Sequence, residues 1–539
     1  MKKLKIGLII SFSVILISTL VLFLTEKLDG SKLLRDSHTE IMFVWVVVFF
    51  VLFIGGAYFF LTKKVEIESK KAFLYLMISL GIVFILKLVI SSITKGFSID
   101  TGCFTAWAAG AGKNLLGFYT PQEWCDYPPL YISILAFCGK LTSLGIPQLI
   151  AIRLPALFAE IGISLIIYKI ASKNFNQTVG IFLGVMFALN PLVIFDTSIW
   201  GQMDTVLAFF IVTAIYLVTK THARYPALYF ILSSIFFASA ILIKPQALFF
   251  LPILLFALIK NKKFLPILYS GLTGIGTIFL IILPFDKVKF VYASSKIISA
   301  INGAIPSLKD VTHFLSGLPF FRDFFWLADL FMGTAGGYSY ITVNAANTYF
   351  PFGKNWVQDS MPTNLKVGET PPVIGKILGL DYATFGLILV GVVLILAAVI
   401  YFKSNHRSIP WFTAIFLNVG IFMTATRMHE RYMFTIVALF IIAFIYSKDL
   451  ITPILGALFT LTIYINTDYV FTRQLVVGNT WIENGSPTTI FISILNLLGL
   501  FLLLALLLGL AFNNYLPILK QEIIKPLTRS TIRQKKFKK

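Results

Sequence analysis

The chain has 539 residues, 58% of them hydrophobic and 13% charged, against about 45–50% and about 25% in soluble domains. This balance excludes disorder, a coiled coil, a disulfide-stapled secreted module and an ordinary cytosolic enzyme. The 45 Lys and Arg outweigh the 24 Asp and Glu, for a net charge of +21, but the basic residues form short clusters between long apolar runs, a pattern of membrane topology and not of nucleic-acid binding.

A helix that crosses a bilayer needs about 20 apolar residues. In chain order, such stretches lie near 6–24, 41–62, 72–93, 150–170, 178–195, 204–219, 226–243, 246–259, 264–284, 380–402, 409–425, 432–447, 450–466 and 487–512. The fold expected is therefore all-α and polytopic, with about fourteen transmembrane helices. The first stretch begins Lys2, Lys3, Lys5 like a signal peptide, but Thr25-Glu26-Lys27 follows it instead of a small-residue cleavage site, so it is read as an uncleaved span.

Lys/Arg bias sets the orientation. The N-terminus, Lys63/Lys64/Lys70/Lys71, Lys169/Lys173, Lys220/Arg224, Lys260/Lys262/Lys263, Lys403/Arg407, Lys448 and the tail from Lys520 to Lys539 go to the cytoplasm, and both termini with them. The protein is expected in the plasma membrane. A crossing at 129–143 would reverse the bias for everything after it, so that segment is read as an interfacial or re-entrant helix opened by Pro128-Pro129. On this scheme 1–71 holds two extra spans and 72–285 a membrane core that includes an outer loop at 95–149. A long outer loop follows at 286–376, then C-terminal spans at 377–512 and a basic tail at 513–539.

Polar residues gather at the outer mouth. Asp100 is read as closing the third span, in Gly96-Phe97-Ser98-Ile99-Asp100. Phe104 and Trp107 follow, then Phe118-Tyr119 and Asp126-Tyr127-Pro128-Pro129-Leu130-Tyr131. An acid there is either a solvated helix end or a general base, and the aromatics alone fit an interfacial belt. Further along come Asn190-Pro191, Asp196 and Trp200-Gly201-Gln202-Met203-Asp204, then Lys244-Pro245-Gln246, and then Arg427, His429-Glu430-Arg431-Tyr432.

These stretches resemble, in order, the motifs of the dolichyl-phosphate-glucose-dependent glucosyltransferases that extend lipid-linked oligosaccharides. Those enzymes belong to the polyprenyl-phosphate-sugar glycosyltransferases of the GT-C fold. Asp100 with Trp107 and Asp126-Tyr127-Pro128-Pro129 is similar to their first lumenal loop, and His429-Glu430-Arg431 to their His-Glu-Lys motif. The resemblance covers about residues 95 to 435. Two spans precede the one that normally leads into the catalytic loop, Trp-Gly-Gln stands where eukaryotic enzymes have Phe-Gln, and Arg431 replaces Lys. These departures are those of a prokaryotic relative and leave sugar and acceptor open.

The resemblance implies transfer of a hexose, glucose or mannose, from a polyprenyl-phosphate donor to a glycan or glycolipid acceptor outside the cytoplasm. It implies inversion, Asp100 as general base, and no metal or cofactor. The residue chemistry is suited to it: a carboxylate deprotonates the acceptor hydroxyl, and fixed cations stabilise the departing phosphate. Arg427 and Arg431, four apart, share one face of a helix end with His429 nearby, and guanidinium forks match phosphate; the alternative is that they anchor a span. Lys244 is a further phosphate candidate. Asp126, Tyr127, Trp107, Asp196, Trp200, Gln202 and Asp204 are candidates for sugar or acceptor contacts, with Trp200 stacking on the ring; the alternative for Trp200 and Asp204 is an interfacial indole and a helix-capping acid.

Lys87 is expected to snorkel outward, with phosphate contact as its sharper role. Arg153 and Glu160 are seven apart on one helix face, where ionisable groups are costly and usually paired or functional, and Glu160 is expected to tie neighbouring helices together. Arg473 meets phosphate or anchors its helix. Cys103 and Cys125 share one outer loop and are either bridged or free; with Cys138 they have no metal-ligand spacing. The rival function is a transporter or flippase of lipid-linked sugars, which would place its polar groups near the bilayer midplane.

Overall fold

The computed structural model describes residues 37–63, 65–119, 125–220, 225–261, 264–285, 295–361, 373–449, 451–478 and 480–512. The first expected span and the basic tail lie outside them. Among the described residues the regular elements are helices, apart from a two-stranded hairpin pairing Lys376–Ile377 with Leu380–Asp381 and a few isolated bridges. Among the described residues, six helices are long and apolar enough to cross a membrane: Ser69–Ile93, Gln148–Asn174, Phe264–Ile282, Tyr382–Lys403, Ile451–Leu475 and Pro487–Phe512. A seventh candidate is the pair Gln177–Ala188 and Pro191–Trp200, bent by 47°. Several shorter apolar helices of 10–17 residues accompany them, including Pro129–Ser143, Asp204–Val218, Pro226–Ile241 and Ile409–Thr424.

The chain divides into two compact units, one of residues 1–90, 157–200 and 340–539, the other of residues 91–156 and 201–339. In the first unit, helix Ser69–Ile93 exposes Phe73, Ile78, Ile82, Ile85 and Val89 on one side. Ala72, Leu76, Leu80 and Val83 are buried on the other, where the last three pack on Ala188 and its neighbours. Lys87 continues this buried stripe at helical spacing and is 1% exposed. It does not snorkel. Its ammonium pairs with Glu160, and Glu160 Oε1 also accepts a 2.6 Å hydrogen bond from Thr197 Oγ1. A lysine deep in a span is tolerated when a carboxylate on a neighbouring helix meets it.

The later helices of this unit, from Tyr382–Lys403 to Pro487–Phe512, each pack on the next in sequence. The span expected to stop at 466 runs on as Ile451–Val477. Asn466, Asp468 and Arg473 are buried polar residues, not an emerging loop. Asn466 shows why the helix continues: it accepts from Ala346 N at 3.0 Å and donates to Asn344 O at 2.9 Å, so its amide is satisfied inside the protein.

In the second unit, helices Ser98–Lys113 and Pro129–Ser143 form a tight pair. A Cβ at Gly139 would lie 2.0 Å from the carbonyl of Ala108, so only glycine permits this approach. Pro129 opens the second helix at its first position, where a missing N–H costs nothing. Leu130 N donates to Leu242 O at 3.0 Å and pins the pair to the end of helix Pro226–Ile241. Asp100 does not close the third span. Helix Ser69–Ile93 ends before Gly96, whose φ of +82° turns the chain, and Asp100 sits in the first turn of the new helix Ser98–Lys113. A carboxylate is favoured there by the exposed N–H groups of the helix start.

Candidate active site

Within the second unit, Gln202 Nε2 donates to Asp100 Oδ2 at 2.8 Å. The same side chain accepts from Met203 N at 2.9 Å, which fixes the amide's orientation, and Gln202 is 1% exposed. The turn that brings Gln202 to Asp100 depends on Gly201. Its φ is +85°, and a Cβ there would lie 2.9 Å from Thr101 Cγ2 and 3.2 Å from Arg153 Nε. Gly201→Ala is expected to cost about 1–3 kcal/mol from backbone strain, with further loss from crowding. The check is the melting temperature of the purified variant, and an unchanged value would contradict the strain.

Arg153 sits beside this turn and donates to the carbonyls of Ser91, at 2.5 Å in the last turn of helix Ser69–Ile93, and of Thr94, at 3.0 Å just past its end. Asp204 and Lys244 form a buried ion pair at 2.6 Å. Asp204 lies in the first turn of helix Asp204–Val218, and Lys244 precedes a 3-10 turn at Pro245–Phe250. The lysine expected to meet phosphate therefore has a carboxylate partner in this structure.

Asp126 stands just before the Pro128-Pro129 turn. Burial pushes its carboxyl above the ordinary value of 3.8, with Asp100 adding in the same direction and Lys244 opposing. The native state thus binds this proton more tightly than the unfolded chain does. Stability should fall as pH rises from about 3.8 through the native value, and Asp126→Asn should flatten that part of the melting-temperature profile. A wild-type profile with no slope there would contradict the assignment.

Tyr127 is half-buried among Trp107, Phe104 and Tyr131, with ring centroids 5.3 to 5.6 Å away. Trp107 is 4% exposed and so belongs to the core of the helix pair, not to an open sugar platform. Tyr119 donates to Tyr127 O at 2.7 Å, and burial keeps its phenol well above the usual range. Cys103, Cys125 and Cys138 are free thiols.

The first unit carries the other candidates. Asn190 caps Pro191–Ile194 by accepting from Leu192 N at 3.0 Å, and a π-helical turn follows at Phe195–Trp200. Such turns are rare and collect at functional sites. Asp196, 1% exposed, lies on this turn within electrostatic reach of Lys87. Trp200 is fully buried: Phe195 and Phe471 flank its ring, and the Arg431 guanidinium lies 4.9 Å from its centroid. The indole expected to stack on a sugar is instead enclosed and seats a cation.

Arg427 and Arg431 do not share a helix face. Residues 425–435 form bends and turns after helix Ile409–Thr424, with Arg427 at φ +64°. The Arg427 fork is held by the fully buried Asp359, through Nε at 2.7 Å and a second nitrogen at 3.1 Å. Arg431 contacts Glu430 at 2.5 Å and is 9% exposed. His429 is bridged to Val343 and Asn344 of the segment after helix Pro319–Gly337, and its ring lies 5.0 Å from that of Tyr432. Arg473 lies 3.4 Å from Glu483. Nothing local in the sequence marks Asp359, an acid about 70 residues before its arginine. Among the described residues no group of three His, Cys, Asp or Glu is arranged to hold a metal.

The family model for dolichyl-phosphate-mannose-protein mannosyltransferases matches residues 126–285. The matched stretch runs from Asp126 through the Trp200–Asp204 turn and Lys244 to the end of helix Phe264–Ile282. The match spans 160 of the 539 residues and marks this stretch as similar to that glycosyltransferase family, while the apolar helices are those of a multi-pass membrane protein. No curated protein is matched by the chain.

Proposed function

We propose that this protein is an inverting hexosyltransferase that takes glucose or mannose from a polyprenyl-phosphate carrier to an acceptor hydroxyl on the extracytoplasmic side. The observation that carries the proposal is the Asp100 carboxylate, set at a helix start and oriented by the buried Gln202 amide at 2.8 Å. Asp100 takes the acceptor proton, the acceptor oxygen forms its bond to C1 of the sugar, and the C1–O bond to phosphate breaks with its electron pair leaving on the carrier. The displacement inverts C1. His429 and Arg431 are the phosphate contacts, with Trp200 supporting the Arg431 guanidinium. Lys244 meets phosphate only by releasing Asp204. Arg427 acts through the fold, because Asp359 occupies its fork.

Asp126, Tyr127, Asp196, Gln202 and Asp204 remain the candidates around sugar and acceptor, and Trp107 supports Tyr127. About fourteen spans with both termini in the cytoplasm complete the proposal. One observation favours the transporter: the break between Gln177–Ala188 and Pro191–Trp200 resembles a discontinuous helix. The test is sugar transfer by purified protein offered labelled polyprenyl-phosphate-glucose or polyprenyl-phosphate-mannose with a mixed lipid extract. Labelled product from one donor supports the enzyme and names the sugar; carrier binding without product on any acceptor supports the transporter.

A further inference from the structure

We infer that Trp356 and Trp481 form a saccharide-binding platform that holds the acceptor glycan, apart from the residues proposed for chemistry. The assignment of the ligand as acceptor rests on the glycosyltransferase proposal. The platform stands on an amide lattice in the first unit. There, residues 340–360 are bonded to the 480–486 loop between helices Ile451–Val477 and Pro487–Phe512. Asn344 is the hub of that lattice. Its Oδ1 accepts from Asn355 Nδ2 at 3.1 Å, Trp356 Nε1 at 3.0 Å and Ile482 N at 3.0 Å, while its Nδ2 donates to Thr480 O at 2.6 Å. Asn355 and Asn484 are joined twice, at 2.9 and 3.2 Å.

Three aromatic rings stand on this support. Tyr340 lies 5.0 Å and Trp481 5.8 Å from Trp356, centroid to centroid. Trp481 is 54% exposed. Beside it stand the Glu483 carboxylate, 80% exposed, and the exposed Asn484. A sugar ring presents a face of weakly positive C–H groups, which suits the negative face of an indole. Its hydroxyls need polar partners at the rim, and the exposed Glu483 carboxylate supplies an acceptor there in the oxygen other than the one that meets Arg473.

An interfacial belt would explain an exposed indole by itself. It would not explain the lattice of Asn344, Asn355 and Asn484 built beneath the second indole. Nor would it explain why both Asn344 and Trp356 are held at left-handed φ, 58° and 56°, to fix the second indole from below. The same lattice reaches His429: Val343 N donates to Met428 O at 3.0 Å, and both Val343 and Asn344 bridge to His429. Platform and His429 therefore share one scaffold.

The experiment uses full-length protein in phosphatidylcholine nanodiscs, titrated with mannotriose and maltotriose and read by saturation-transfer NMR. One trisaccharide should bind the wild type. Trp481→Ala should weaken it by about tenfold or more, Trp481→Phe should retain most of the binding, and the melting temperatures should agree. Absence of wild-type binding, or unchanged binding in Trp481→Ala, overturns the platform. So does quenching of Trp481 fluorescence by brominated lipid, which would place the indole in the bilayer. Trp481-dependent binding in a protein that transfers no sugar keeps the platform and removes the glycosyltransferase proposal. Transfer with an unchanged acceptor KM in Trp481→Ala removes the platform alone.

Discussion

Asp100→Asn is expected to lower sugar transfer by about 10²–10⁴-fold, the range for loss of a general base, while carrier binding and the melting temperature hold. The substitution is nearly isosteric and keeps an acceptor oxygen for the Gln202 amide, which now meets Asp100 at 2.8 Å. It removes the one property a base needs, a carboxylate that can take a proton. Gln202→Ala should lower kcat less, by freeing the carboxylate to turn. Single-turnover rates with saturating carrier separate these cases. A fully active Asp100→Asn would transfer the role elsewhere and undo the mechanism.

The largest effect on stability is expected at Lys87 and Glu160. Glu160→Leu leaves a buried lysine without its carboxylate, and Lys87→Met leaves a buried carboxylate without its cation. Each should cost about 3–5 kcal/mol, the usual penalty for orphaning one member of a buried pair. The double variant Lys87→Met/Glu160→Leu should recover most of the loss, because two apolar side chains of similar size need no partner. Thr197 Oγ1 would lose its 2.6 Å bond to Glu160 in that variant, so recovery stops short of complete. Melting curves of detergent-solubilised protein give the comparison. Single variants as stable as the wild type would show that the pair holds nothing together.

Lys87 also marks how far the sequence could be read. Its place on the 72-76-80-83-87 stripe was open to inspection, and helical spacing alone puts it with the core face. It was assigned by its charge and depth instead, and the missing information was the carboxylate some 70 residues away. Hydropathy located the long apolar helices because lipid exposure leaves its mark on composition, as in the outward-facing Ile78, Ile82 and Ile85. It misjudged the end of helix Ile451–Val477, since a polar residue satisfied inside a protein looks in sequence like one bound for water.

The candidate site was legible as residue types and less so as geometry. Asp100, Gln202, Asp204 and Lys244 fall in one unit, with the pairs Asp100–Gln202 and Asp204–Lys244 in hydrogen-bond contact. Arg427 and Arg431, identical in type and four apart, have different partners, because Arg427 sits at φ +64° and turns the backbone between them. Left-handed backbone at a non-glycine residue depends on tertiary contacts, here the Asp359 carboxylate, and no local pattern announces it. Of the two readings of Trp200, a ring stacked on a sugar or an interfacial indole, neither anticipates its enclosure at the π turn Phe195–Trp200.

The central claim is that a bond at the anomeric carbon is broken and remade, and carbon-13 NMR observes that carbon directly. Proteoliposomes holding the protein would receive polyprenyl-phosphate-hexose labelled at C1, together with the lipid extract that serves as acceptor. The account predicts loss of the coupling between C1 and phosphorus and the growth of a glycoside signal of inverted configuration, in the wild type and not in Asp100→Asn. Retention of that coupling while the intact carrier changes leaflets would contradict it and make the protein a transporter.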